Sequence, residues 1–154
     1  MSAEAAQEHE HRIVVGVDGS GPSLEALAWA ARQAKLTGAI VEAIIAWDFP
    51  AYYGYAAPAI DVDWKGMATQ VVASAVAKVS SASPGTAAIR YKVSQGNAAA
   101  VLLNASAGAD LLVVGSRGHG GFVEALLGSV GQHCVQHATC PVVVIRDSVA
   151  SAHR

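Results

Sequence analysis

Polar and apolar positions along the chain follow two alternating rhythms. Residues 13–17 form an almost continuous β-branched run, as expected of a strand covered on both faces in a parallel sheet. Further short apolar runs predict strands at 40–47, 88–93, 111–114 and 142–145. Between them the apolar spacing changes to that of helices. Leu24, Leu27, Ala28, Ala31 and Ala34 recur after a Pro22-Ser23 first turn, and Gly38 closes the run. Ala68, Val71, Val72, Ala75, Val76 and Val79 mark a helix over 64–80. Val101, Leu102 and Ala105 mark a shorter one over 98–107, with Gly96-Asn97 as turn and N-cap. Ser129-Val130-Gly131-Gln132 has the Ser-x-x-Gln form of a capping box, so the last helix is expected to start at Ser129 and to stop at Thr139-Cys140-Pro141. Five strands alternating with four helices predict an α/β fold: an open, doubly wound parallel sheet, Rossmann-like, with helices on both faces.

Composition narrows the setting. The 154 residues are 53% hydrophobic and only 14% charged, which suits layered packing in one domain, expected over 12–146. Residues 1–11 and 147–154 read as polar tails, the first expected to be disordered. The loop from Asp48 to Asp63, with Tyr52, Tyr53 and Tyr55, leaves the carboxyl end of a strand and suits a lid or partner surface. A formal charge of −2 without a basic stripe argues against nucleic acid or an anionic membrane surface as partner. No apolar run reaches the ~18 residues of a membrane span, and the acidic N-terminus is unlike a secretory signal. Two cysteines, Cys134 and Cys140, do not make a disulfide framework, so a cytoplasmic location is expected.

The candidate chemistry lies at the ends of two strands. The strand at 111–114 runs into Gly115-Ser116-Arg117-Gly118-His119-Gly120-Gly121, and the loop ends at Gly128-Ser129 where a helix begins. Glycines let backbone N–H groups approach an oxyanion, and a helix start adds unpaired donors and a positive dipole end. Arg117 is placed for a charge-assisted contact. Neither a Walker A loop nor the dinucleotide fingerprint is present. The first strand ends at Asp18-Gly19-Ser20, where Asp18 suits an Asx turn, a role compatible with also accepting a hydrogen bond from a ligand.

Gly115-x-x-Gly118, nine residues, then Gly128-Ser129 resembles the nucleotide-binding signature of the universal stress protein family, ATP-binding subgroup. Residues 13–20 (Ile-Val-Val-Gly-Val-Asp-Gly-Ser) resemble the family's opening strand and Asp turn, and residues 140–145 (Cys-Pro-Val-Val-Val-Ile) its closing strand, so the likeness covers nearly the whole chain. The resemblance implies strand order 3-2-1-4-5, which places Asp18 and Gly115 beside the point where the order reverses, the crevice in which such sheets bind ligands. It also implies roles: Val17 and Asp18 at base and ribose, Ala46 lining the adenine pocket, and Gly115, Ser116, Arg117, Gly118, Gly128, Ser129 and Val130 around the phosphates. The implied ligand is ATP, with a divalent ion such as Mg2+ bridging its phosphates.

Catalytic machinery is not evident. No lysine accompanies the loop and no carboxylate or glutamine is placed to orient a water, and His119 lacks a recognisable partner. The expected protein is a nucleotide-dependent regulatory or stress-response protein with at most slow ATP hydrolysis. A slow adenine-nucleotide hydrolase and a binder of another adenine nucleotide such as cAMP are the alternatives. His133, Cys134 and His137 do not form a His-Glu-x-x-His site, and Cys134 points about 100° around the helix from His133, so no metal is expected there. The last strand, Val142–Ile145, would lie at a sheet edge without lysine or proline to blunt it; a homodimer through that edge is expected, as the resemblance also implies.

Overall fold

Parallel strands need a crossover between each pair, and the alternation of short strands and helices supplies one every time. The computed structural model describes residues 10–49, 62–85, 88–117 and 127–146. In chain order the elements are β1 (Arg12–Gly16), α1 (Gly21–Thr37), β2 (Ile40–Trp47), α2 (Trp64–Ala82), β3 (Ile89–Gln95), α3 (Ala98–Ala105), β4 (Leu111–Gly115), α4 (Ser129–His137) and β5 (Val142–Ile145). The sheet is parallel throughout, in the order β3-β2-β1-β4-β5. The expected tails at 1–9 and 147–154, most of the tyrosine-bearing loop (50–61), Gly118 and His119 lie outside the described residues.

Two apolar layers hold the sheet. One packs α1 and α2 through Leu27, Ala30, Ala31, Val72 and Ala75 onto Ile13, Val15, Val41, Ala43 and Val113. The other packs Leu102 of α3 and Cys134 of α4 onto Val14, Ile44, Leu112 and Val114. Because successive residues of β1 and β4 serve opposite layers, both strands are buried on both faces. Alanines on the inner face of α1 are fully buried, which lets helix and sheet backbones approach closely. Val71, expected in the α2 stripe, is instead 37% exposed, since Val72 and Ala75 already fill the contact.

Local signals set the helix ends. The Ser20 hydroxyl accepts the Ser23 N–H at the start of α1, and Gly38, at φ +80°, closes it with an N–H bond to the Ala34 carbonyl. Asp63 and Asn97 cap α2 and α3 in the same way. β3 continues two residues past its expected end because Ser94 and Gln95 stay paired with Ala46 and Trp47. The last helix departs from expectation. It starts at Ser129, yet no capping box forms: Gly128 is the N-cap and no side chain accepts there. Ser129 already has its place in the first helical turn, so its hydroxyl is not where a capping oxygen would sit.

Charged groups collect at the amino edge of the sheet. Arg12 donates from Nη1 to the Ala105 carbonyl (2.8 Å) and from Nη2 to the Ala107 carbonyl (2.9 Å), closing the C-terminal end of α3, and lies 3.4 Å from Glu42. Arg90 pairs with Glu42 and with Glu10. The His11 carbonyl accepts from Ile40 and its ring bonds Asp110, so Glu10 and His11 belong to the folded body rather than to the expected tail. We expect Arg12→Met to lower the free energy of unfolding by roughly 1–3 kcal/mol, measured by chemical denaturation. Arg12→Lys should recover only part of this, since one ammonium cannot replace a planar fork holding two carbonyls.

Candidate nucleotide site

In a doubly wound sheet the strand order reverses where two neighbouring strands send their connections to opposite faces, and a crevice opens beyond their carboxyl ends. Here those strands are β1 and β4, paired through Ile13–Leu111, Val14–Leu112 and Val15–Val113. α1 leaves β1 toward one layer, and α4, which follows β4, packs in the other. A cleft open to solvent lies at their ends, the place where such sheets bind ligands.

Nine of the ten residues singled out from the sequence line this cleft: Val17, Asp18, Ala46, Gly115, Ser116, Arg117, Gly128, Ser129 and Val130. The tenth, Gly118, lies outside the described residues. Gly16, Ser23, Ile44, Ala98, Leu102, Val114 and Gly131 complete the lining. Most of these carry the apolar stripes of β2, α3 and β4, and in the sequence nothing separates a core position from a wall position of the same stripe. Ser23 was legible as a helix-start residue but not as one facing the cleft.

Three backbone features shape the phosphate-suited end. Ser116 ties the parts together: its N–H donates to the Ile145 carbonyl (2.8 Å) at the end of β5, and its carbonyl accepts from Gly128 (2.7 Å) at the start of α4. The first intrahelical bond of α4 runs from the Gln132 N–H to the Gly128 carbonyl. The amides of Ser129, Val130 and Gly131 therefore precede the helical ladder, all three residues face the cleft, and the N-cap Gly128 has no side chain to cap them. A helix start in this state attracts an anion by about 0.3–2 kcal/mol. A Cβ on Gly131 would meet a Leu127 methyl at 2.7 Å, so a side chain there requires that leucine to move aside.

The other end is apolar, built from Val17, Ile44, Ala46, Ala98 and Leu102. Val17 is fixed by its N–H bond to the Ile44 carbonyl (2.9 Å). Gly16 lies so close to α3 that a Cβ would stand 2.8 Å from a Leu102 methyl. Asp18 also lines the cleft and makes the expected Asx turn by accepting from the Ser20 N–H at 2.9 Å. One carboxylate and one guanidinium, Asp18 and Arg117, are the charged groups among the described lining residues. No group of three or more His, Cys, Asp or Glu among the described residues is arranged to hold a metal. The rings of His133 and His137 lie tilted against each other with centroids 4.8 Å apart, while Cys134 turns into the core, where burial pushes its thiol pKa up.

Fold and cleft together define an α/β protein with a small-ligand crevice at the strand-order reversal of a five-stranded parallel sheet. The chain belongs to the Universal stress protein family, which residues 10–146 match. Universal stress protein Rv2623 of Mycobacterium tuberculosis is 38% identical over 143 residues, covering 89% of this chain and 46% of that protein. The chain thus spans about half the length of the curated relatives it matches. Among solved structures, a universal stress protein in complex with cAMP superposes with TM-score 0.64 at 26% identity, covering 90% of this chain and 98% of that one. UspA from Lactobacillus plantarum shares the fold at TM-score 0.67 and 23% identity, over 91% of this chain and 100% of that one. The universal stress protein from Archaeoglobus fulgidus in complex with dAMP shares it at TM-score 0.64 and 19% identity, over 90% and 99%.

At Gly115 the close neighbour is ring and backbone: a Cβ would stand 2.8 Å from the Pro22 Cβ and 3.0 Å from its carbonyl carbon. Backbone cannot yield cheaply there. We expect Gly115→Ala to cost roughly 1–3 kcal/mol of stability through overpacking, read from the denaturation midpoint.

Proposed function

We propose that the chain is an ATP-binding universal stress protein in which occupancy of the cleft alters conformation or partner choice. The observation that carries this reading is the meeting of two unlike surfaces in one cleft: the uncapped amides of Ser129, Val130 and Gly131 at one end, and the apolar wall of Val17, Ile44 and Ala46 at the other. A nucleotide has that same polarity, an anion joined through a sugar to a flat, largely apolar base. In this arrangement the base lies against Val17 and Ala46, Asp18 meets the ribose, and Gly115, Ser116, Arg117, Gly118, Gly128, Ser129 and Val130 surround the phosphates. A divalent ion such as Mg2+ would ride on the phosphates and water, since Asp18 is the one carboxylate among the described lining residues. The charged lining groups suit binding and orientation better than rapid hydrolysis, which needs a positioned base or water-orienting group.

A second reading is favoured by one relative: the universal stress protein solved with cAMP is 26% identical to this chain. The same cleft would then prefer an adenine nucleotide with a single phosphate. Mass spectrometry of nucleotide released from purified protein separates the two.

For the wild-type chain, ATP at 100 times its dissociation constant should add ~2.7 kcal/mol of stability. Gly128→Val places a branched side chain where backbone must approach phosphate, so thermal stabilisation by ATP should vanish while the far-ultraviolet spectrum is retained. Persistence of the stabilisation would place the site elsewhere.

We further propose a homodimer through β5. Among the described residues this strand pairs with β4 on one side only, and its four residues are half-buried. Pairing two such edges about a two-fold axis satisfies both with one interface. Sedimentation equilibrium should give a dimer, and Val143→Pro, which removes a ladder donor, should give monomer or aggregate. A wild-type monomer at all concentrations rules the dimer out.

A further inference from the structure

The turn joining β1 to α1 holds more hydrogen bonds than a turn and a helix cap require. The Asx turn needs only the bond from the Ser20 N–H to Asp18 Oδ1 (2.9 Å). The cap needs only that Ser20 Oγ accept the Ser23 N–H (3.3 Å). Ser20 does both, and its hydroxyl also donates to the same Asp18 Oδ1 at 2.5 Å. A hydroxyl has one proton to donate, and this one goes to a carboxylate in a short, charge-assisted bond. Ser23 closes the ring, donating from Oγ to the Ser20 carbonyl (3.0 Å) and accepting the Asp18 N–H (3.3 Å). Ser20 and Ser23 are buried, at 8% and 4% exposure, while Asp18 is exposed at the cleft. An exposed aspartate ordinarily samples several rotamers; two donors on one oxygen select one.

We propose that Ser20 is a positioning residue for sugar recognition: its hydroxyl fixes the plane of the Asp18 carboxylate at the cleft so that the carboxylate discriminates a ribose diol from a deoxyribose. The inference rests on the nucleotide reading of the cleft and extends it to a residue outside the lining. A ribose offers two adjacent O–H donors, and accepting both demands a carboxylate held in one plane. A 2′-deoxyribose offers one, and a mobile carboxylate serves it as well as a fixed one. Loss of the Ser20 hydroxyl therefore weakens the ribonucleoside selectively.

The test compares adenosine and 2′-deoxyadenosine by isothermal titration calorimetry on the wild type, Ser20→Gly, Ser20→Thr and Asp18→Ala. Glycine is chosen because it is tolerated at an N-cap at a cost of only a few tenths of a kcal/mol, and thermal unfolding checks that each variant is folded. The wild type should bind adenosine roughly ten- to a hundredfold more tightly than 2′-deoxyadenosine, the worth of about one hydrogen bond to a charged group. Ser20→Gly should lose that preference by weakening adenosine alone, Ser20→Thr should restore it because the hydroxyl returns, and Asp18→Ala should abolish it. A merely structural role for Ser20 would weaken both nucleosides equally or neither, and either result overturns the proposal. If Asp18→Ala abolishes the preference while Ser20→Gly keeps it, the positioning role falls and the nucleotide reading stands. A wild type that binds both nucleosides equally overturns the positioning role alone; one that binds neither nucleosides nor ATP overturns the nucleotide reading and this inference with it.

Discussion

The close approach of Gly115 to Pro22 is the constraint on which the site depends. The end of β4 meets the first turn of α1 with no room for a side chain between them. That contact fixes where the β4 loop departs relative to the β1 turn, although the two motifs lie almost a hundred residues apart in the chain. Pairing of β1 with β4 sets the strands side by side, and the glycine sets their ends at one height. Ser116, the next residue, then joins the end of β5 to the start of α4 through its own backbone. Two consecutive residues thus bring four elements to one cleft, and neither uses a functional group of its side chain to do so.

Much of this was legible in the sequence, for reasons that differ from residue to residue. Strands buried on both faces leave a continuous β-branched signal, so β1 and β4 could be read directly. Gly38 and Asn97 act through local chemistry and were found by type and place. The strand order came from family resemblance, because periodicity carries no information about which strands are neighbours. The capping box at Ser129 failed for a geometric reason: the pattern is matched by letters, but Gly128 occupies the capping position and Ser129 falls one residue inside. The apolar wall from Ile44 and Leu102 was not separable from core, since a side chain facing a cleft and one facing a helix share the same stripe. The docking of Glu10 and His11 was also missed, because neither a backbone carbonyl that accepts from Ile40 nor an ion pair to a residue as distant in the chain as Arg90 leaves a mark on local composition.

Charge is divided between the two edges of the sheet. At the amino edge Glu10, Arg12, Glu42, Arg90, His11 and Asp110 pair with one another and with carbonyls. Two of these partners, Arg12 and Glu42, are largely shielded from solvent, where their interactions are less screened by salt than surface pairs are. At the carboxyl edge the described lining holds one acid and one base, and the donors are mainly peptide groups. The fold's ionic fastening and its ligand-facing surface are therefore physically separate, so a change of charge at one end has little direct reach to the other across the apolar layers between them.

The uncapped start of α4 has an evolutionary consequence. A site made of side chains is altered by almost any replacement, whereas amide donors persist whatever residue carries them, provided the helix forms and nothing bulky intrudes. In the proposed site Ser129 and Val130 would contribute through atoms common to every amino acid except proline, which leaves their side chains at liberty to drift. Gly115 has no such latitude, because the ring and backbone of Pro22 leave no room for a Cβ. Along this stretch the heritable information resides in what must stay small, so descendants of such a chain can diverge widely in letters while presenting the same face to an anion.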